Sequence, residues 1–329
     1  MKKLYLLSLS LWLMMLSVND ILAKDDMTME RSFEVPVGGT LKLTSDLGSI
    51  EILTWDQPRA KIEVIREPRS LSKTESEKLI ENFQVDFKQK DTLLEVTGAL
   101  PSGWKIRHKN LSVHFKIQVP KKFNLQLQTS GGSISVDDIE GKVKARTSGG
   151  SLSLASIDGS VWAQTSGGSI SLQRSGGDVD LRTSGGSISL GEVRGRVDVQ
   201  TSGGSIQIEK SQGNVQAKAS GGNITVQEAS GPIIATTSGG SVNVYFSQPL
   251  SADCRLETSG GSVNVWLPEN IALNIDAQTL GGKVKCDFEL SSIGKKKEDH
   301  LRAAIQGGGP ELFLRTSGGD IHINQKKLN

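Results

Sequence analysis

Serines recur in pairs two residues apart through the middle of this chain. Ser133 and Ser135, Ser151 and Ser153, Ser169 and Ser171, and Ser187 and Ser189 form one series. It continues as Ser205/Gln207, Asn223/Thr225, Ser241/Asn243 and Ser262/Asn264. Residues two apart on a strand share a face, so the series predicts a flat strip of hydroxyls and amides. Such a strip could carry a polar, regular ligand such as a glycan or ice, and fits better a soluble outer face that binds nothing. A flat strip lacks the concavity small-molecule sites need.

A second series carries charge: Lys142/Lys144/Arg146, Asp178/Asp180/Arg182 and Arg196/Asp198. Asp178 and Asp180 are the carboxylates that could do acid–base work on a sugar. With arginines beside them they fit an ion-pair ladder as well. Trp162 stands in the same series as an exposed aromatic able to stack on a sugar ring.

Other chemistry is hard to place. His108, His114, His300 and His322 are scattered, without the spacing of a zinc site. The calcium-binding nonapeptide needs G-G-x-G-x-D, and TSGGSISV has neither the third glycine nor the aspartate. No G-x-S-x-G elbow with a supporting histidine and no phosphate-cradling loop are evident. No metal or cofactor is therefore expected. Cys254 and Cys286 are the two cysteines; they are expected either to pair, if their α-carbons come close enough, or to remain two buried thiols that never meet.

The elements that position these residues follow from a repeat. Thr-Ser-Gly-Gly begins at 129, 147, 165, 183, 201 and 237, with Ala219-Ser-Gly-Gly completing a spacing of 18. Gly141, Gly159, Gly177, Gly195, Gly213 and Gly231 keep the same step. A fixed short period signals a solenoid. Within one unit Leu152/Leu154 and Val161/Ala163 alternate with polar residues, which gives two short strands. From Val136 to Val143 is 7, an odd number, so the chain must bend back for both strands to point inward. The glycines are expected at these bends because they tolerate positive φ. The units should stack in chain order as an all-β, single-stranded parallel β-helix of about 18 residues per coil, those at 258, 279 and 316 included.

Residues 24–128 form an irregular β-rich lead-in and cap. Thr44–Ile52 looks like a degenerate copy of the repeat, and Ser72-Lys-Thr-Glu75 is a capping box that predicts one short helix over 73–84. Strands are expected over 92–96 and 111–119. The repetitive part spans 129–329 with its largest insertion at 286–310, where His300–Ile305 reads as a helical turn. Cys254 falls in the column of Val143 and Cys286 in that of Val136.

Residues 1–23 read as a signal peptide: Lys2-Lys3, an apolar run Leu4–Val18, and Ala23 at the cleavage position. The mature chain is expected to carry no lipid anchor or integral membrane segment and to be exported, to the periplasm first, with the cell surface or medium as alternatives. Lys+Arg 38 against Asp+Glu 36 gives net charge +2, without the basic footprint of a nucleic-acid partner.

Repeated TSGGSISV, the intervening I-x-G-x-V and the closing GGGPELFLRTSGGDIHI resemble the bacterial putative-adhesin domain family over about Val35 to Ile323. The resemblance implies a right-handed β-helix, no catalytic residues and a function not yet known. The expectation is a non-enzymatic exported protein that binds or scaffolds an envelope protein or glycan. The alternatives are a polysaccharide-active enzyme and an ice-binding hydroxyl array.

Overall fold

A computed structural model describes residues 27–69, 72–101 and 111–326. The proposed signal peptide and His108 lie outside the described residues. Two long sheets, of 14 and 15 strands, run the length of the molecule. One carries the serine series and the other the charged series; they are called here the serine sheet and the charged sheet.

The repeat generates both. Val143, Val161, Val179, Val197 and Val215 lie side by side in parallel strands of the charged sheet. Ile134, Leu152, Ile170, Ile188 and Ile206 do the same in the serine sheet. All of these are buried, as are Ala145, Leu154, Leu172 and Leu190. A single thin core lies between the sheets, as the odd spacing requires. A corner column of Ile139, Ile157, Ser175, Val193, Ser211 and Ala229 is buried too. Its serines keep partners: the Ser175 hydroxyl has the carbonyls of Gly159 and Gly177 at 3.2 and 3.1 Å.

The glycines work differently from the expectation. Among the described glycines only Gly38, Gly48, Gly307 and Gly308 have positive φ, and none belongs to the Thr-Ser-Gly-Gly units from 129 onward or to the series from Gly141 to Gly231. The second glycine of each pair is required by close approach instead. A Cβ on Gly168, Gly186, Gly204 or Gly222 would collide with the carbonyl of the equivalent glycine one coil back. The threonine before it points into the core: Thr165 Oγ1 donates to Gly150 O at 2.7 Å, Thr183 to Gly168 O and Thr201 to Gly186 O at the same distance.

Stacking in chain order fails at both ends. The coil Thr40–Ser45/Ser49–Trp55 sits between the later coils Leu93–Ala99/Leu111–Pro120 and Asn124–Thr129/Ile134–Val136. At the other end the last coil, Glu311–Thr316/Ile321–Lys326, slides between Cys254–Thr258/Val263–Pro268 and Leu273–Thr279/Val284–Cys286. A parallel ladder asks only for a matching strand edge, whichever part of the chain supplies it.

Antiparallel strands cover most of the outer edges. Gln84–Lys90 pairs with Leu93–Ala99, and Arg59–Pro68 followed by Thr28–Glu34 covers Leu111–Pro120. At the far end His300–Ile305 pairs antiparallel with Leu273–Thr279 and is followed outward by Ser292–Lys296. The helical turn expected at 300–305 is therefore a strand, because an open ladder edge beside it supplies partners no isolated turn has. The helix is Lys73–Asn82, with Ser72 and Glu75 forming the capping box, two residues shorter than expected.

Both thiols are free. Cys254 and Cys286 lie on different sheets, and the inserted last coil separates their coils, so the pairing alternative does not hold. Burial pushes the Cys254 thiol up to about 11 and raises that of Cys286 as well.

Candidate functional site

The two candidate faces look away from each other, and the structure treats them differently. On the serine sheet the pairs split into two rows. The first row is consumed by the backbone. Ser133 Oγ accepts the N–H of Ser151 at 3.1 Å, Ser151 that of Ser169 at 3.3 Å, and Ser169 that of Ser187 at 3.2 Å. The same link runs on through Ser187, Ser205, Asn223, Ser241, Ser262 and Asp320 to the N–H of Lys283. Each of these side chains satisfies an amide that follows the crowded Gly-Gly bend, a satisfaction any buried or half-buried amide needs.

The second row, Ser135, Ser153, Ser171 and Ser189, is exposed. Its one link is a long 3.5 Å contact between the Ser171 and Ser153 hydroxyls. Gln207, Thr225, Asn243, Asn264 and His322 continue it. The strip thus offers one exposed hydroxyl per coil over four coils.

Trp162 lies on the charged sheet, in register between Lys144 and Asp180. Around it a hollow of about 730 Å³ opens on the outer face, lined by Asn124, Gln126, Lys142, Lys144, Trp162, Asp178, Asp180, Arg196 and Asp198. Ser160 stands in the column between Lys142 and Asp178, and its short side chain leaves room beside the indole. Lys144 Nζ lies 5.0 Å from the ring centroid, a cation–π contact. One end of the hollow therefore holds the Lys142 and Lys144 ammonium groups and the Gln126 amide, the other holds carboxylates, and the aromatic stands between.

The carboxylates are already engaged. Asp178 Oδ1 accepts the backbone N–H of Arg196 at 2.9 Å. Asp180 takes Arg182 in a fork, at 2.9 and 3.4 Å, and that contact pushes the Arg182 guanidinium above its ordinary range. Asp198 meets Arg196 at 3.5 Å. Acid–base catalysis needs one carboxyl to give a proton while the other takes one. Asp178 and Asp180 are instead held as acceptors by the Arg196 backbone N–H and the Arg182 guanidinium.

One aromatic pair carried no signal in the sequence reading. Tyr245 and Trp266 stack at 3.9 Å between centroids and 6° between planes, beside an amide ladder in which Asn264 Nδ2 donates to Asn243 Oδ1 at 2.8 Å. Their 21-residue separation, matching the looser period there, is the trace that would have found them. Each ring covers a face of the other, so the pair serves the ladder. Among the described residues no three His, Cys, Asp or Glu side chains gather to hold a metal ion, and no helix is long and apolar enough to cross a membrane.

Residues 50–324 match the family model described as Toastrack DUF4097. The chain belongs to that family. Among solved structures it is similar to a putative adhesin from Parabacteroides merdae ATCC 43184, at 11% identity over 92% of this chain and 97% of the other, with a TM-score of 0.38. A putative adhesin from Bacteroides fragilis NCTC 9343 matches at 11% identity, 91% and 97% coverage and a TM-score of 0.34. A putative lipid binding protein from Parabacteroides distasonis ATCC 8503 matches at 16%, 91% and 97%, with 0.30. No curated protein matches the chain. Two of these neighbours of the Toastrack chain bear adhesin names and the third a lipid-binding name, and at these scores the likeness carries no argument about a ligand.

Proposed function

We propose that this Toastrack protein is an exported, right-handed parallel β-helix of about 18 residues per coil, serving as an adhesin-like binding module of the bacterial envelope, with the Trp162 hollow as its glycan-binding site. The observation that carries this reading is the aromatic set between donors and acceptors in a concave part of an otherwise flat sheet. An indole packs against the C–H face of a sugar while amides, ammonium groups and carboxylates bond its hydroxyls. The exposed serine row supports the site less well, since half of the strip is committed to the backbone. The same loss of every second hydroxyl weakens an ice-binding reading, and the engaged aspartates weaken a sugar-cleaving one at this hollow. The charged run Lys2-Lys3 before an apolar stretch supports export, with the periplasm as first destination.

The test is binding of the purified protein to a panel of envelope polysaccharides. Trp162→Ala should weaken the bound polysaccharide about tenfold or more, equivalent to roughly 1.4 kcal/mol, while Ser153→Ala with Ser171→Ala leaves it unchanged. Affinity untouched by Trp162→Ala, or lost with the serines instead, moves the site off this face.

A further inference from the structure

At the N-terminal end of the serine sheet the chemistry of the columns changes. Ser49 and Glu51 stand two apart on one strand and so share its outer face, and the register sets His114 of the neighbouring strand directly beside Ser49. The imidazole bridges them: Nδ1 is 2.7 Å from Ser49 Oγ and Nε2 is 3.2 Å from Glu51 Oε2. A carboxylate only accepts, so in the neutral ring Nε2 carries the proton and Nδ1 accepts the Ser49 hydroxyl. The serines of this column from Ser133 to Ser187 accept a backbone N–H from the next coil. Ser49 is bonded to a base.

Two further observations coincide there. Gly48, at φ +107, makes a bend that a side chain would strain, and a Cβ on it would come within 2.7 Å of the Val113 carbonyl oxygen. The bend opens onto a hollow of about 760 Å³ lined by Ser49, Ser112, Gly131, Gly132 and Arg69 among others. A nucleophile bonded to a base, a third group orienting that base and an adjoining space for a substrate are three of the working parts of acyl transfer.

We infer that Ser49 is a nucleophile with His114 as its general base and Glu51 as the residue positioning the imidazole, and that this end of the rod hydrolyses short-chain acyl esters of polar alcohols. Ser49 Oγ attacks the ester carbonyl as its proton passes to His114 Nδ1. The imidazolium, held by Glu51, returns that proton to the departing alkoxide, leaving an acyl-serine. Water then adds by the same route, giving its proton to Nδ1, and the Ser49 oxygen takes the proton back as the carboxylic acid leaves. Ester and water become acid and alcohol, with no other reactant. Leu47 among the glycines and serines of the lining suits a short acyl chain, and Arg69 with Asp46 suits a polar alcohol. This inference is independent of the glycan reading of the Trp162 hollow.

The test treats the purified wild-type protein with a fluorophosphonate probe and, separately, with p-nitrophenyl acetate. The expected result is labelling mapped to Ser49, with turnover reduced about 100-fold or more in Ser49→Ala and His114→Gln at an unchanged melting temperature. Glu51→Gln should give a smaller loss together with a displaced pH–rate profile, which a purely structural residue would not move. Absence of label on wild-type Ser49, or turnover unchanged in Ser49→Ala, overturns the inference. The labelling arm needs no variant, so misfolding cannot mask it.

Discussion

The regular middle of the rod and its two ends are made from the same kind of coil, yet they are assembled by different rules. In the middle each coil lies on the one before it in the chain, and the columns at the bends and at the start of each charged-sheet strand repeat a residue type: valine on valine, threonine on threonine, glycine on glycine. At the ends the chain overshoots and comes back. The coil around Leu41 and Ile50 lies between strands that follow it by dozens of residues, and the coil around Leu312 and Ile321 is slotted one place in from the outermost. Both ends thereby hold a terminal coil on two sides. The chain's outermost ladders are then closed by antiparallel strands or kept very short, as with the three-residue Val284–Cys286 edge. The lesson is that a repeating sequence propagates itself, whereas ending it requires departures from the repeat. The unusual chemistry of Ser49, His114 and Glu51 sits in one of those departures.

The glycines give the sharpest way to break this comparison. Gly203→Ala in the middle should destabilise the protein by about 2–3 kcal/mol, because its Cβ would come within 2.9 Å of the Gly185 carbonyl oxygen and a stacked backbone cannot move aside cheaply. Gly131→Ala at the junction with the N-terminal end finds nothing within 4 Å. It should be neutral or stabilise by a few tenths of a kcal/mol through the unfolded chain. Urea melts of the two variants decide the matter; equal losses would mean that coil spacing is uniform and the ends are not relaxed.

A smaller effect attaches to the threonine column. Thr183→Ala removes the 2.7 Å bond to the Gly168 carbonyl and the acceptor for the Gly186 N–H, and should cost about 1–2 kcal/mol. Ala219 occupies this column in the middle of the rod, buried, where its neighbours are threonines. Ala219→Thr should restore the missing pair and stabilise by about 1 kcal/mol, read as a rise in urea midpoint at constant m-value.

The smallest effect concerns the inserted last coil. The N–H of Lys283 on the outermost coil donates to Asp320 Oδ1 at 2.8 Å, and this bond, foremost, lowers the Asp320 carboxyl below its ordinary value of 3.8. A carboxyl lowered on folding adds stability above its unfolded pKa and loses it as pH falls through the lower folded value. Asp320→Asn should therefore melt slightly below wild type near pH 6, and the gap should close as the pH drops below about 4. A gap constant with pH would show that the bond's geometry, rather than its charge, ties the last coil to the outermost one.

Much of this molecule was written in local pattern. Alternation of Leu152/Leu154 and Val161/Ala163 gives strands, the odd step from Val136 to Val143 forces both inward, and Ser72 with Glu75 starts the helix. Trp162 and its charged neighbours were legible as a shared face because side-chain parity within a strand is a property of neighbours in sequence. Contact between distant segments was not legible. Only the tertiary structure decided that the terminal coils are inserted, since any coil with the right edge satisfies a ladder. It decided too that Ser133, Ser151, Ser169 and Ser187 serve the backbone while Ser135, Ser153, Ser171 and Ser189 face solvent, because a hydroxyl's partner belongs to the next coil. The repeat glycines avoid collision between coils and need no left-handed backbone, a distinction that depends on how closely two coils approach. His114 reached Ser49 across 65 positions of sequence by ladder register alone.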